Sequence, residues 1–298
     1  AAALLACAYA GSQEQAAVLL LLLFGMEVLH YISEKCMKQP LLYALCGIDI
    51  ISLVYILSCP GNAIRSAQEM AGRMPEFADF TFAEKLYMGL ANVERIFIAE
   101  LDPVYCVVAA VLVLLVYRKT GDYRKTLLAG IPALLLFGQA VVRVSHPSLK
   151  KVFVRPEQTT HWDWHALVTY MPLVFLILSI FGILYALWQL ADGAWKHYLW
   201  TAFLLAGGFA MGVVMGFSPT IYASANRPYL YLYFVLIYVC ADAVWNMGGM
   251  KAVWKIGSAD AVRKMPVPEK LMFTVLGLLV LANILDVTRM CWLLGRIL

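Results

Sequence analysis

Charge is scarce in this sequence: only 14% of its 298 residues are Asp, Glu, Lys or Arg. A soluble domain of this size has about 25% charged residues, so a water-facing globular surface is excluded. Paired cysteines are missing too. The seven cysteines show no CxxC spacing and mostly sit in apolar runs, where they read as small packing residues. There is no P-loop, no dinucleotide glycine pattern, no HExxH and no GxSxG. Those absences argue against ATP-driven transport within the chain and against nucleotide-sugar chemistry of the soluble kind. Alternating apolar and polar positions are lacking as well, which excludes a transmembrane barrel.

What remains is 62% hydrophobic, with a mean hydropathy of +0.76, in apolar runs from one end to the other. Each unpaired backbone group costs several kcal/mol in hydrocarbon, so these runs must be helices. The expectation is an all-α, polytopic transmembrane helical bundle forming one domain, with about eight full spans. The opening AAALLACAYA is too short to cross and lacks a basic n-region, so it reads as a partial span, the tail of a longer helix, with a processed N-terminus as the alternative. The net charge of +4 needs no nucleic acid, since basic loops on the cytoplasmic side supply it.

The expected spans are 16–33, 41–58, 103–117, 126–142, 166–190, 198–216, 229–248 and 269–290. Between them, 59–102 forms the longest polar region. Its stretch Phe82–Ile98 interleaves apolar positions with Glu84, Lys85, Glu94 and Arg95. That pattern reads as an amphipathic helix at the outer interface, with a polar spanning helix as the alternative. The short loops 34–40, 118–125, 191–197 and 249–270 are rich in Lys and Arg, and the positive-inside rule makes them cytoplasmic. Three polar, turn-rich segments, at 59–65, 143–165 and 218–228, then share the outer face.

Those segments hold the candidate chemistry. Arg227, between Asn226 and Pro228, offers a rigid charged fork suited to phosphate or carboxylate; an ordinary snorkelling arginine is the plainer reading. Arg65 follows Pro60-Gly61-Asn62, a turn whose backbone N–H groups would suit an anion; interface anchoring is the alternative. In His161-Trp162-Asp163-Trp164-His165, the two histidines have metal-ligand spacing on a helix, and Asp163 joins them in an extended chain. The tryptophans equally suit an aromatic belt before a span. Metal, a sugar- or proton-handling site, and a solvated loop all stay open there. Asp163 is the best general-base candidate, with Asp102, Glu100 and Glu157 as its few competitors. Glu27, Asp49, Asp242 and Asp286 lie in or near spans, where an acid points to function by default. For Asp242, a hydrogen-bond network with Trp245 and Asn246 is the structural alternative.

At LSCPGNAIR (57–65) and GFSPTIYASANR (216–227) the sequence resembles a family of bacterial polytopic membrane proteins. That family is similar to integral-membrane glycosyltransferases that use polyprenyl-phosphate sugars. The resemblance implies sugar transfer at the outer face of the bacterial inner membrane, from a lipid-linked sugar to a cell-envelope acceptor. It implies an inverting reaction in which a carboxylate deprotonates the acceptor and Arg227, with or without Arg65, stabilises the departing phosphate. It implies no nucleotide or redox cofactor, and a divalent metal ion is optional. Such enzymes keep an essential acid between their first two helices, a place expected either upstream of Ala1 or at Glu14. A transporter or flippase for a lipid-linked sugar or other anion is the main alternative, and a non-catalytic membrane subunit the third.

Overall fold

In the computed structural model, residues 14–33, 40–145, 164–222 and 227–247 are described, and every regular element among them is helical. They contain three helices long and apolar enough to cross a membrane, or four if one bent pair counts as a single span. The expected eight full spans are therefore not reached among the described residues. Two further apolar helices are shorter than a span, and the final expected span lies outside the described residues.

The chain divides into two compact units. Unit 1 comprises residues 1–89 and 206–232. It opens with α1 (Glu14–Ser33) packed on α2 (Pro40–Ser58), where Ala17 and Ile56 form a core with Leu20, Leu53 and Tyr231. The outward side of α2 leaves Ile51 70% and Tyr55 68% exposed, a surface suited to lipid. Cys59 alone separates α2 from α3 (Pro60–Arg73). Pro60 and Gly61 were expected to turn the chain, but Pro60 occupies the first position of a new helix. A missing N–H costs nothing there, and its fixed φ suits the helix.

Both α3 and the helix that begins at Phe82 are amphipathic. Residues Phe82–Glu94 form α4, which continues as a π-helical turn at Arg95–Ala99. Tyr87, Met88, Asn92, Val93, Glu94 and Ile96 through Ala99 are buried within the protein, whereas Phe82 at the helix start is exposed.

Unit 2 comprises residues 90–205 and 233–298. Its centre is α5 (Pro103–Thr120), whose ends follow from local sequence. Asp102 caps the start by accepting from the Tyr105 N–H at 2.9 Å, and Pro103 occupies the first turn. Gly121 closes the other end at φ +60, with Arg118 and Lys119 in the last turn, where cations complement the helix dipole. Next come α6 (Tyr123–Ala129), capped by Asp122, and α7 (Ile131–Ser145); α6 and the 131–142 stretch are bent by 62° at Gly130. The long α8 (Leu167–Ala191) packs on α5, α6 and α7 and ends in two left-handed residues, Asp192 and Gly193. The tight turn leads to α9 (Trp195–Val214), and α10 (Leu230–Asn246) completes the described chain.

Gly182 of α8 faces Pro132 so closely that a Cβ there would lie 2.9 Å from the Pro132 Cγ and 3.3 Å from the Ile131 Cβ. Gly182→Ala is expected to destabilise by roughly 1–3 kcal/mol, the usual range for overpacking, read as a lower thermal midpoint in detergent.

Candidate functional site

The two stretches at 57–65 and 216–227 both belong to unit 1, although most of the chain separates them. Of the third expected segment, Arg143–His165, residues 146–163 lie outside the described residues. In the first stretch, Asn62 and Arg65 lie on the first two turns of α3. No side chain caps that helix start, and its first turn holds no acid. Such a terminus leaves backbone N–H groups and the positive end of the helix dipole for an anion. The expected Pro-Gly-Asn turn is thus a helix N-terminus, which attracts the same ligands by a different geometry.

In the second stretch, Met215–Phe217 forms a 3-10 turn directly after α9. Gly216 rests on the backbone of Lys85 and Gly89, and Phe217 contacts Phe82 with ring centroids 5.2 Å apart. Beyond it, Ser218 Oγ and Thr220 Oγ1 are 2.9 Å apart, and the Ile221 N–H donates to the Ser218 carbonyl at 3.2 Å. Pro219 and Ile221 are buried, so the turn is folded into the unit and not left as a loose connection. Arg227 begins a second 3-10 turn, Arg227–Tyr229, which leads into α10. Asn226 lies outside the described residues, as do His161, Asp163 and Glu157. His165 is described, in an exposed turn before α8, where the Tyr170 hydroxyl donates to the Trp164 carbonyl at 2.9 Å. Among the described residues no cluster of three His, Cys, Asp or Glu side chains could hold a metal ion.

Asp102 is placed where its two oxygens are both used. Oδ1 accepts from the Tyr105 N–H and Oδ2 from the Tyr233 hydroxyl at 2.7 Å. The carboxyl is buried; burial pushes its pKa up, and the hydrogen bonds from Tyr233 and the backbone pull it back. Phe97 packs beside it on both tyrosines, with centroids 5.8 Å from Tyr105 and 5.1 Å from Tyr233, and the Tyr105 hydroxyl pairs with Ser179. This arrangement ties α5, α8, α10 and the π-turn together inside unit 2.

Of the acids near the apolar helices, Asp49 is fully buried on α2, and neither of its oxygens has a partner among the described residues. Glu27 lies on α1, Asp242 on α10, and Asp286 outside the described residues. Asp242 finds its partner on α9: its Oδ2 is 2.7 Å from His197 Nε2, with the Asn246 amide 3.3 Å from the same oxygen. Trp245, expected in this network, is 80% exposed. The three polar groups open on a small, shallow cleft walled by Leu187, Leu190, Ala191 and Ala243. Lys119 reaches the Leu190 carbonyl at 3.0 Å and Asp192 at 3.4 Å, so the turn at 118–125 and that at 191–197 share one end of unit 2, as the charge pattern had grouped them.

His197 was not singled out in the sequence, because its partner is 45 positions away. The i,i+4 pair Asp242 and Asn246 was the available signal, since it places two polar groups on one helix face. A double-mutant cycle with His197→Ala and Asp242→Ala is expected to give a coupling on the order of 1 kcal/mol in thermal stability.

No family model, no curated protein and no solved structure matches this chain.

Proposed function

We propose that this chain is an integral-membrane protein that binds a lipid-linked phosphate beside the 57–65 and 216–228 segments of unit 1. Three of the described helices, or four with the bent pair as one, are of membrane-spanning length and composition. The observation that carries the reading is the uncapped start of α3 at Pro60-Gly61-Asn62, in the same compact unit as the folded turn leading to Arg227. A phosphate at a helix N-terminus gains from free N–H groups, from the dipole and from a guanidinium that can bind two oxygens. On this reading the protein is a sugar transferase working from a polyprenyl-phosphate donor. Arg227 and Arg65 hold the phosphate. Asp102, spent on a helix cap and a tyrosine, is a positioning residue.

The test is binding of polyprenyl phosphate to the full chain in lipid nanodiscs, read as thermal stabilisation. Arg65→Ala and Arg227→Ala are each expected to weaken it about 10- to 100-fold, the worth of a charge-assisted hydrogen bond. A wild-type protein indifferent to polyprenyl phosphate would sink the reading.

A second reading, a transporter or flippase, is favoured by the 62° break in the α6–α7 pair and by the cleft lined with Asp242 and His197. The two readings part on products. A transferase changes the mass of the lipid-linked sugar, whereas a flippase moves it between leaflets unchanged.

A further inference from the structure

The segment from Glu94 to Asp102 gathers three unusual features in unit 2. Glu94 is only 2% exposed, and its Oε1 has no partner among the described residues. A π-turn follows at once, at Arg95–Ala99, a widened helical geometry that is rare and concentrated at functional sites. The turn ends at Leu101, which holds φ +60, a left-handed conformation that is strained for a bulky residue.

The cation next in sequence, Arg95, bonds other acceptors. Arg95 donates from Nη1 to Glu100 at 2.8 Å and from Nε to Asn92 Oδ1 at 2.9 Å. The π-turn packs on α7 and α8. Along its length α8 carries no charged residue, only the phenols Tyr170 and Tyr185, and Arg143 is the single charged residue of α7. Phe97 brings Tyr105 and Tyr233 to the same turn, with Asp102 between them. An ionised carboxylate in such surroundings costs several kcal/mol, so the neutral acid is the form the fold accommodates. Burial accordingly raises its pKa to about 8.

We propose that Glu94 is a proton-binding site, and that the π-turn Arg95–Ala99 is the element its ionisation opens. In the closed state the carboxyl is neutral and buried. Loss of the proton favours an open state in which Glu94 reaches water and the strained turn relaxes. This inference does not depend on the phosphate reading, since it concerns unit 2 alone.

The sign follows from the two proton affinities. The closed state holds the proton up to about pH 8, whereas the open state gives it up near the ordinary 4.5. Closure is therefore strongest below the ordinary value. Its equilibrium constant falls about tenfold per pH unit as pH rises toward 8, then levels off.

The experiment uses the full chain in lipid nanodiscs. Infrared difference spectra should show a protonated-carboxyl band lost with a midpoint near pH 8, absent from Glu94→Gln and kept in Glu100→Gln. Hydrogen exchange at residues 95–101, corrected for intrinsic rate, should lose about tenfold protection per pH unit below that midpoint in the wild type and stay flat in Glu94→Gln. If Glu94→Gln fails to fold, the wild type and Glu100→Gln decide the matter by themselves. A carboxyl titrating only in the ordinary range, or protection that ignores pH, overturns the proposal.

Discussion

Asp102→Ala is expected to lower stability by roughly 2–4 kcal/mol, the sum of a lost N-cap and a lost buried hydrogen bond from a tyrosine hydroxyl. The cap is the bond from the Tyr105 N–H to Oδ1, and the hydroxyl is that of Tyr233, at 2.7 Å from Oδ2. Both losses fall at the start of α5, a helix that candidate spans and buried core residues place at the centre of unit 2. Asp102→Asn behaves differently. Its amide oxygen still accepts from Tyr105, and its NH2 can donate to the Tyr233 oxygen, so the cost stays below about 1 kcal/mol. Thermal midpoints in detergent separate the two variants directly. The pair also tests the role of the residue, because a carboxylate that accepts a proton in the reaction loses that ability in the Asn variant. Folded but inactive Asp102→Asn protein would return Asp102 to the chemistry. Folded and active protein leaves it as the support that fixes α5 against α10.

Gly216→Ala and Gly89→Ala form the second pair with large expected effects. A Cβ on Gly216 would run into the Lys85 carbonyl oxygen and lie 2.6 Å from the Gly89 nitrogen. One on Gly89 would collide with the Val213 carbonyl oxygen and lie 2.9 Å from its carbon. These obstacles are backbone atoms, which cannot rotate aside as a side chain does. Each substitution is expected to cost on the order of 3 kcal/mol or more, at the upper end of overpacking. Because Gly216 sits directly before Ser218-Pro219-Thr220, both variants should also weaken polyprenyl-phosphate binding if that turn helps to form the site. Gly138→Ala is the control: nothing lies within 4 Å of its added methyl, so helix propensity alone should stabilise it by about 0.5–1 kcal/mol. Equal thermal midpoints for Gly216→Ala and Gly138→Ala would refute the close approach.

The candidate site was only partly legible in the sequence. LSCPGNAIR and GFSPTIYASANR stood out because prolines, glycines and a lone arginine interrupt apolar runs, and both stretches fall in unit 1. Their local forms were harder to read. Pro60 was equally compatible with ending one helix and with starting the next. The preference of proline for a first helical turn decided for the second, once Cys59 alone sufficed as a break. The helix start at Phe82 was legible, but the burial of Tyr87, Met88 and Glu94 was not, because it depends on which helices pack against them.

What the sequence determined by itself is short-range. Scarce charge and long apolar runs make the described chain helical, with helices of membrane-crossing length. Asp102-Pro103, Gly121 and Gly130 mark helix ends through bonds to neighbours a few residues away. Only the tertiary structure decided which polar groups meet. Tyr233 reaches Asp102 across 131 positions and His197 reaches Asp242 across 45, while Glu94 is left with an oxygen unpartnered. The reason is physical: a helix end is set by its own backbone groups, but the partner and the hydration of a buried side chain are set by whichever helix face packs against it.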